Sequence, residues 1–97
     1  MTVPPTFVAI AIHHADPQYA EDFVAFMHRV IETVGRPPGL VDFHGYRDTQ
    51  TSRLVGLSRW ESEEAFKSAL QTIGSLGHER RDEWSLRPDD VLMLAPV

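Results

Sequence analysis

The sequence predicts an α+β sandwich in which a four-stranded antiparallel sheet carries two helices on one face, and three observations predict it. Residues 53–60 alternate with a period of two and hand over at Ser62 to Ala65, Phe66, Ala69, Leu70 and Ile73, which recur at helical spacing. A second helical run, 18–34, lies upstream between two strand-like segments, and an apolar run, VLMLA at 91–95, comes last. The resulting order is β-α-β-β-α-β, the split unit of ferredoxin-like folds.

Each element has its own local justification. Met1 to Pro5 reads as a loose leader. Residues 6–14, TFVAIAIHH, are rich in β-branched and small apolar side chains, and Ala15-Asp16-Pro17 stops them with a helix start in which Asp16 is the cap and Pro17 the first helical residue. Tyr19, Phe23, Phe26, Met27, Val30, Ile31 and Val34 then share one broad face, while Glu21, Asp22, His28, Arg29 and Glu32 take the other. Gly35, followed by Pro37 and Pro38, ends that helix. Residues 39–48 read as the second strand, 48–52 as a polar hairpin loop and 53–60 as the third strand. Ser62 is placed to cap the second helix, with Glu63 and Glu64 at the positive end of its dipole. Gly74 and Gly77 break the pattern, SLGHERRDEW reads as irregular, and 91–95 is the last strand.

Composition narrows the function classes. Ninety-seven residues with 42% hydrophobic content make one domain spanning 1–97. A domain of this size buries only about 60–70% of the surface of its unfolded chain, so further burial is expected. There is no cysteine, which excludes disulfides and thiolate metal sites. No run approaches the length of a membrane span and MTVPPTF lacks the regions of a signal peptide, so a cytoplasmic protein is expected. A formal charge of −5 with scattered basic residues makes nucleic acid an unsuitable partner.

The pattern also raises an accounting problem. Strand one is apolar on both faces, with Phe7, Ala9 and Ala11 opposing Val8, Ile10 and Ile12, and the last strand behaves likewise. The helices cover one face only. A bare face of this kind would be a large apolar patch in water, so two sheets are expected to pair face to face as a homodimer.

The capping D-P after strand one, the P-P-G before strand two and the R-W-E-S-E-E-A-F at the strand-to-helix switch resemble the antibiotic biosynthesis monooxygenase-like (ABM) family of dimeric α/β-barrel proteins. That resemblance implies a ligand pocket inside each subunit, between the sheet and its helices. It also implies an activity from a set that includes cofactor-free oxygenases acting on anthrones and quinols and haem-degrading enzymes. Trp60 stands where the anthrone-type members carry a pocket Trp; Gly56 takes the place of their Asn, Phe66 that of their Tyr, and Arg80 is a candidate for the place of their Arg. Against the haem-degrading members, Ala11 and Ala69 take the places of an Asn and a second Trp, and only His78 is kept, which argues against haem degradation.

The candidate site follows from both readings. If Trp60 faces the helices, so do Leu54, Gly56 and Ser58, and small side chains on central strands, with Ala9 and Ala11 beside them, either draw the helices closer or leave room for a ligand. Trp60 is open to two readings, core anchor or pocket wall. Candidate catalytic residues are His78, Trp60 and Arg80, and candidate substrate contacts are His13, Phe43, Gly56, Ser58 and Phe66. In this reading His78 or His13 removes a proton, Arg80 stabilises the resulting phenolate, and Trp60, Phe66 and Phe43 form aromatic walls. His13 and His14 point to opposite faces of their strand and do not chelate together, His14-Ala15-Asp16 is better explained by the helix cap, and no metal is expected. There is no dinucleotide or phosphate-loop fingerprint, and no cofactor is expected. The expected function is oxidation of a small aromatic substrate with O₂; the alternative is a non-catalytic dimer that binds a small hydrophobic molecule.

Overall fold

The computed structural model describes residues 6–97, so the expected leader lies outside the described residues. Its elements are β1 (Phe7–Ala15), α1 (Ala20–Val34), β2 (Leu40–Arg47), β3 (Leu54–Trp60), α2 (Glu63–Ser75) and β4 (Ser85–Leu94). The strands pair antiparallel in the order β2-β3-β1-β4, with both helices on one side, which is the ferredoxin-like arrangement.

Side-chain chemistry explains where the elements start. The Asp16 carboxylate accepts from the Gln18 backbone N–H at 2.9 Å, and Pro17 opens a short 3-10 turn that leads into α1. The Ser62 hydroxyl accepts from the Ala65 N–H at 3.1 Å and starts α2. Gly39 is required by its surroundings: φ is +87°, and a Cβ there would lie 2.5 Å from the Ala65 Cβ, so only glycine lets the Pro-Pro-Gly loop close onto α2.

The last strand differs from its sequence pattern. It begins at Ser85 rather than near Val91, because the polar stretch through Pro88 also pairs with β1. The pairing steps from Ile12↔Asp90 to His14↔Arg87, so β4 spends an extra residue there in a bulge. Pro88 has no N–H to donate, and a bulged edge strand is where a sheet tolerates that.

The core lies between the inner sheet face and the helices. Phe7, Ala9, Trp60, Phe66 and Ala69 form one cluster; Ala15, Phe23, Met27 and Leu54 form a second, at the far end of the same face. On the opposite face the register lines up Val8, Ile10 and Ile12 with Val55 and Leu57 on one side and with Leu92 and Leu94 on the other. Leu92 and Leu94 are 44% and 43% exposed. Among the described residues no helix is long and apolar enough to cross a membrane.

Candidate active site

Three strands contribute small or flat side chains to one stretch of the inner face, and the helices do not close onto it. A cavity of about 300 Å³ results. Its floor is Ala9 and Ala11 of β1 with Gly56 and Ser58 of β3, and its walls include Phe43, Phe26 and Met27, with Phe66 from α2. A Cβ on Gly56 would meet only the Phe43 ring edge, at 3.8 Å, so the missing side chain is part of the open volume. A cavity of about 150 Å³ holds a benzene molecule, so this one has room for a ligand of about two rings.

One end of the cavity is polar. The Ile12↔Asp90 pairing sets His13 beside Asp89 on the same face, and the His13 Nδ1 lies 3.0 Å from the Asp89 Oδ2. Arg80 reaches in from the segment between two short 3-10 turns, Gly77–Glu79 and Asp82–Trp84. It donates to both Asp89 oxygens, at 2.6 and 2.7 Å, and to the Ser85 hydroxyl at 2.9 Å. Its guanidinium stacks over the Phe23 ring at 4.8 Å, and the His13 ring is also 4.8 Å from that ring. Burial works against a charge on Asp89, but the neighbouring His13 and Arg80 outweigh it and hold its carboxyl well below the usual carboxylate range. The His13 contact is close but off the line of a hydrogen bond, so Nδ1 is buried without a hydrogen-bond partner among the described residues.

The residues expected from sequence divide clearly. His13, Phe43, Gly56, Ser58, Phe66 and Arg80 all line the cavity. Trp60 sits one layer behind: it is fully buried against Phe66, and its indole N–H donates to the Ser58 hydroxyl at 2.8 Å. His78 lies outside the cavity, exposed, with its Nδ1 3.0 Å from the Ser75 carbonyl, because the turn after α2 carries it to the surface and brings Arg80 inward instead. His14 turns to Asp90 at 2.8 Å, and Asp16 is occupied as a cap. Among the described residues no group of three or more His, Asp or Glu side chains is placed to hold a metal ion. Asp89 is the residue that sequence reasoning passed over, since only the strand pairing brings it to His13. A wider groove of about 480 Å³ runs outside along Asp82, Arg87 and Pro88, sharing Gly77 and Arg80 with the cavity.

The family described as "Antibiotic biosynthesis monooxygenase" matches residues 6–76. The chain belongs to this family. Solved structures repeat the antibiotic biosynthesis monooxygenase fold over nearly the whole chain. The Rv0793 protein of Mycobacterium tuberculosis is 20% identical, with 94% of each chain covered and a TM-score of 0.81. A monooxygenase of Streptomyces coelicolor, in complex with nanaomycin D, is 20% identical over 96% of this chain and 88% of its own, with a TM-score of 0.73. The haem-degrading MhuD of M. tuberculosis, with two haems in its active site, is 19% identical over 94% and 95%, with a TM-score of 0.74. At these identities the likeness is one of fold. No curated protein matches the chain.

Proposed function

We propose that this member of the antibiotic biosynthesis monooxygenase family is a cofactor-independent oxygenase that oxidises a small phenol or hydroquinone with O₂. The observation that carries the reading is an apolar, aromatic-walled cavity whose one polar end presents a histidine beside a carboxylate–guanidinium pair. His13 accepts the hydroxyl proton of the substrate, and the anion so formed reduces O₂ directly. For a hydroquinone the sum is hydroquinone plus O₂ giving hydroxyquinone plus water: one oxygen atom enters the ring, the other leaves as water with two substrate hydrogens, and all four electrons come from the substrate. The walls exclude bulk water, which strengthens the electrostatic support of the anion at the polar end.

Oxygen uptake with a panel of one- and two-ring hydroquinones tests the reading, using wild type and Gly56→Val. A Cβ at position 56 meets only the Phe43 ring edge, at 3.8 Å, and a β-branched side chain there suits a strand and takes up volume at the floor of the cavity. The expected result is substrate-dependent uptake by wild type that falls at least about tenfold in Gly56→Val, with thermal stability unchanged or raised. Saturable binding of the same compounds with no oxygen consumption would instead identify a non-catalytic carrier.

The working form we propose is a homodimer joined through the outer sheet face. Val8, Ile10, Val55, Leu57, Leu92 and Leu94 supply the apolar surface, and each such side chain fully removed from water is worth about 1.5–3 kcal/mol. Sedimentation at tens of micromolar is expected to give twice the chain mass, and Leu57→Lys to give a single chain. A wild-type monomer would sink this part of the proposal.

A further inference from the structure

The role of Arg80 needs a different account from the one its residue type suggests. Both of its terminal nitrogens are committed, to the two Asp89 oxygens and to Ser85, so it is not a free cation awaiting a substrate anion. Asp89 in turn is the only charged partner of His13 among the described residues. The groups that face the His13 ring are Asp89 from β4, Arg80 from the segment before it, the Phe23 ring from α1 and Leu54 of β3. The wall around them is apolar, where an unbalanced charge is costly.

We infer that Asp89 is the positioning residue of this site: it fixes the His13 tautomer with the proton on Nδ1, leaves Nε2 as the basic nitrogen, and holds the imidazolium once a proton arrives, while Arg80 pairs with both oxygens of Asp89 and holds it in place. The charge balance supports the assignment. At rest the carboxylate and the guanidinium cancel. When the substrate O–H bond breaks and its proton forms an N–H bond at Nε2, the new imidazolium and the new substrate anion cancel as well, so this end of the cavity is neutral before and after the transfer. With an amide at position 89 the site would carry an excess positive charge in both states, and an amide oxygen holds the ring far more weakly than a carboxylate. The contact that carries the assignment is the 3.0 Å approach of the His13 Nδ1 to the Asp89 Oδ2 at the polar end of the cavity.

The catalytic half of this inference rests on the oxygenase reading, and the test separates the two. ¹⁵N shifts of the His13 imidazole, assigned by its disappearance in His13→Gln, report the tautomer without any turnover. Wild type is expected to show Nδ1–H, and Asp89→Asn a mixture containing Nε2–H. In oxygen uptake, Asp89→Asn is expected to lose about 10²-fold or more in kcat/KM, since an orienting carboxylate of a catalytic histidine is worth up to about 10⁴-fold. Asp89→Glu should recover part of the rate. Nε2–H in wild type overturns the inference, as does an Asp89→Asn enzyme with unchanged tautomer and unchanged kcat/KM. Nδ1–H in a wild type that consumes no oxygen with any hydroquinone retires the oxygenase reading and leaves the hold of Asp89 on the ring standing.

Discussion

Replacing His13 by Ala is expected to lower kcat/KM for hydroquinone oxidation by about 10²–10⁴-fold, the usual contribution of a general base. The expectation follows from position. His13 is the one histidine among the described residues that lines the cavity, and the carboxylate beside it is already ionised. His78→Ala is the informative control, since that ring is exposed and contacts a backbone carbonyl instead of the cavity. Its rate should stay within about twofold of wild type, the range of a surface substitution away from the chemistry. Stopped-flow or electrode measurements of oxygen uptake on both variants decide the matter; equal losses in the two, or a larger loss in His78→Ala, would move the base to the surface turn.

The second large effect is on stability. Trp60→Ala is expected to cost about 3–5 kcal/mol, as for other buried large aromatics. Trp60 is 0% exposed, packs edge-on to Phe66 with ring centroids 5.7 Å apart, and anchors the cluster that contains Phe7 and Ala69. Whole domains are stable by only about 5–15 kcal/mol, so the loss takes a large share of what holds the fold, and a fall in Tm of more than about 12 °C is expected. Trp60→Phe keeps the ring contact and loses the indole donor to Ser58, so it should cost about 1–2 kcal/mol and leave the fold intact. Urea unfolding of the two variants checks the ranking. A Trp60→Ala protein as stable as wild type but with altered ligand affinity would place the indole in the cavity wall after all.

Much of this molecule is legible in its sequence. The period-two and helical-period runs, the Asp16 and Ser62 caps and the apolar character of both faces of strand one are local patterns, and local patterns survive translation into structure because they reflect backbone geometry and the nearest side chains. Gly56 and Ser58 are legible as small side chains on the face that Trp60 shares, Phe66 and Arg80 follow from the family resemblance, and His13 and Phe43 from their proton-accepting and aromatic character; all six line the cavity. The start of β4 was hidden because Pro88 and its charged neighbours resemble a loop, and only the bulge at a sheet edge makes them a strand.

What the sequence by itself determined is therefore the order of the elements, their caps, and the grouping of small residues on the strand face that Trp60 shares. Three matters were decided only in three dimensions. The register between β1 and β4 set Asp89 against His13, the turn after α2 directed Arg80 inward and His78 outward, and the packing around Trp60 settled it behind the cavity wall. The physical reason is common to all three: residues 76 positions apart on the chain, such as His13 and Asp89, meet through pairing and packing, and no periodicity along the chain encodes which of several polar side chains will share one end of a closed space.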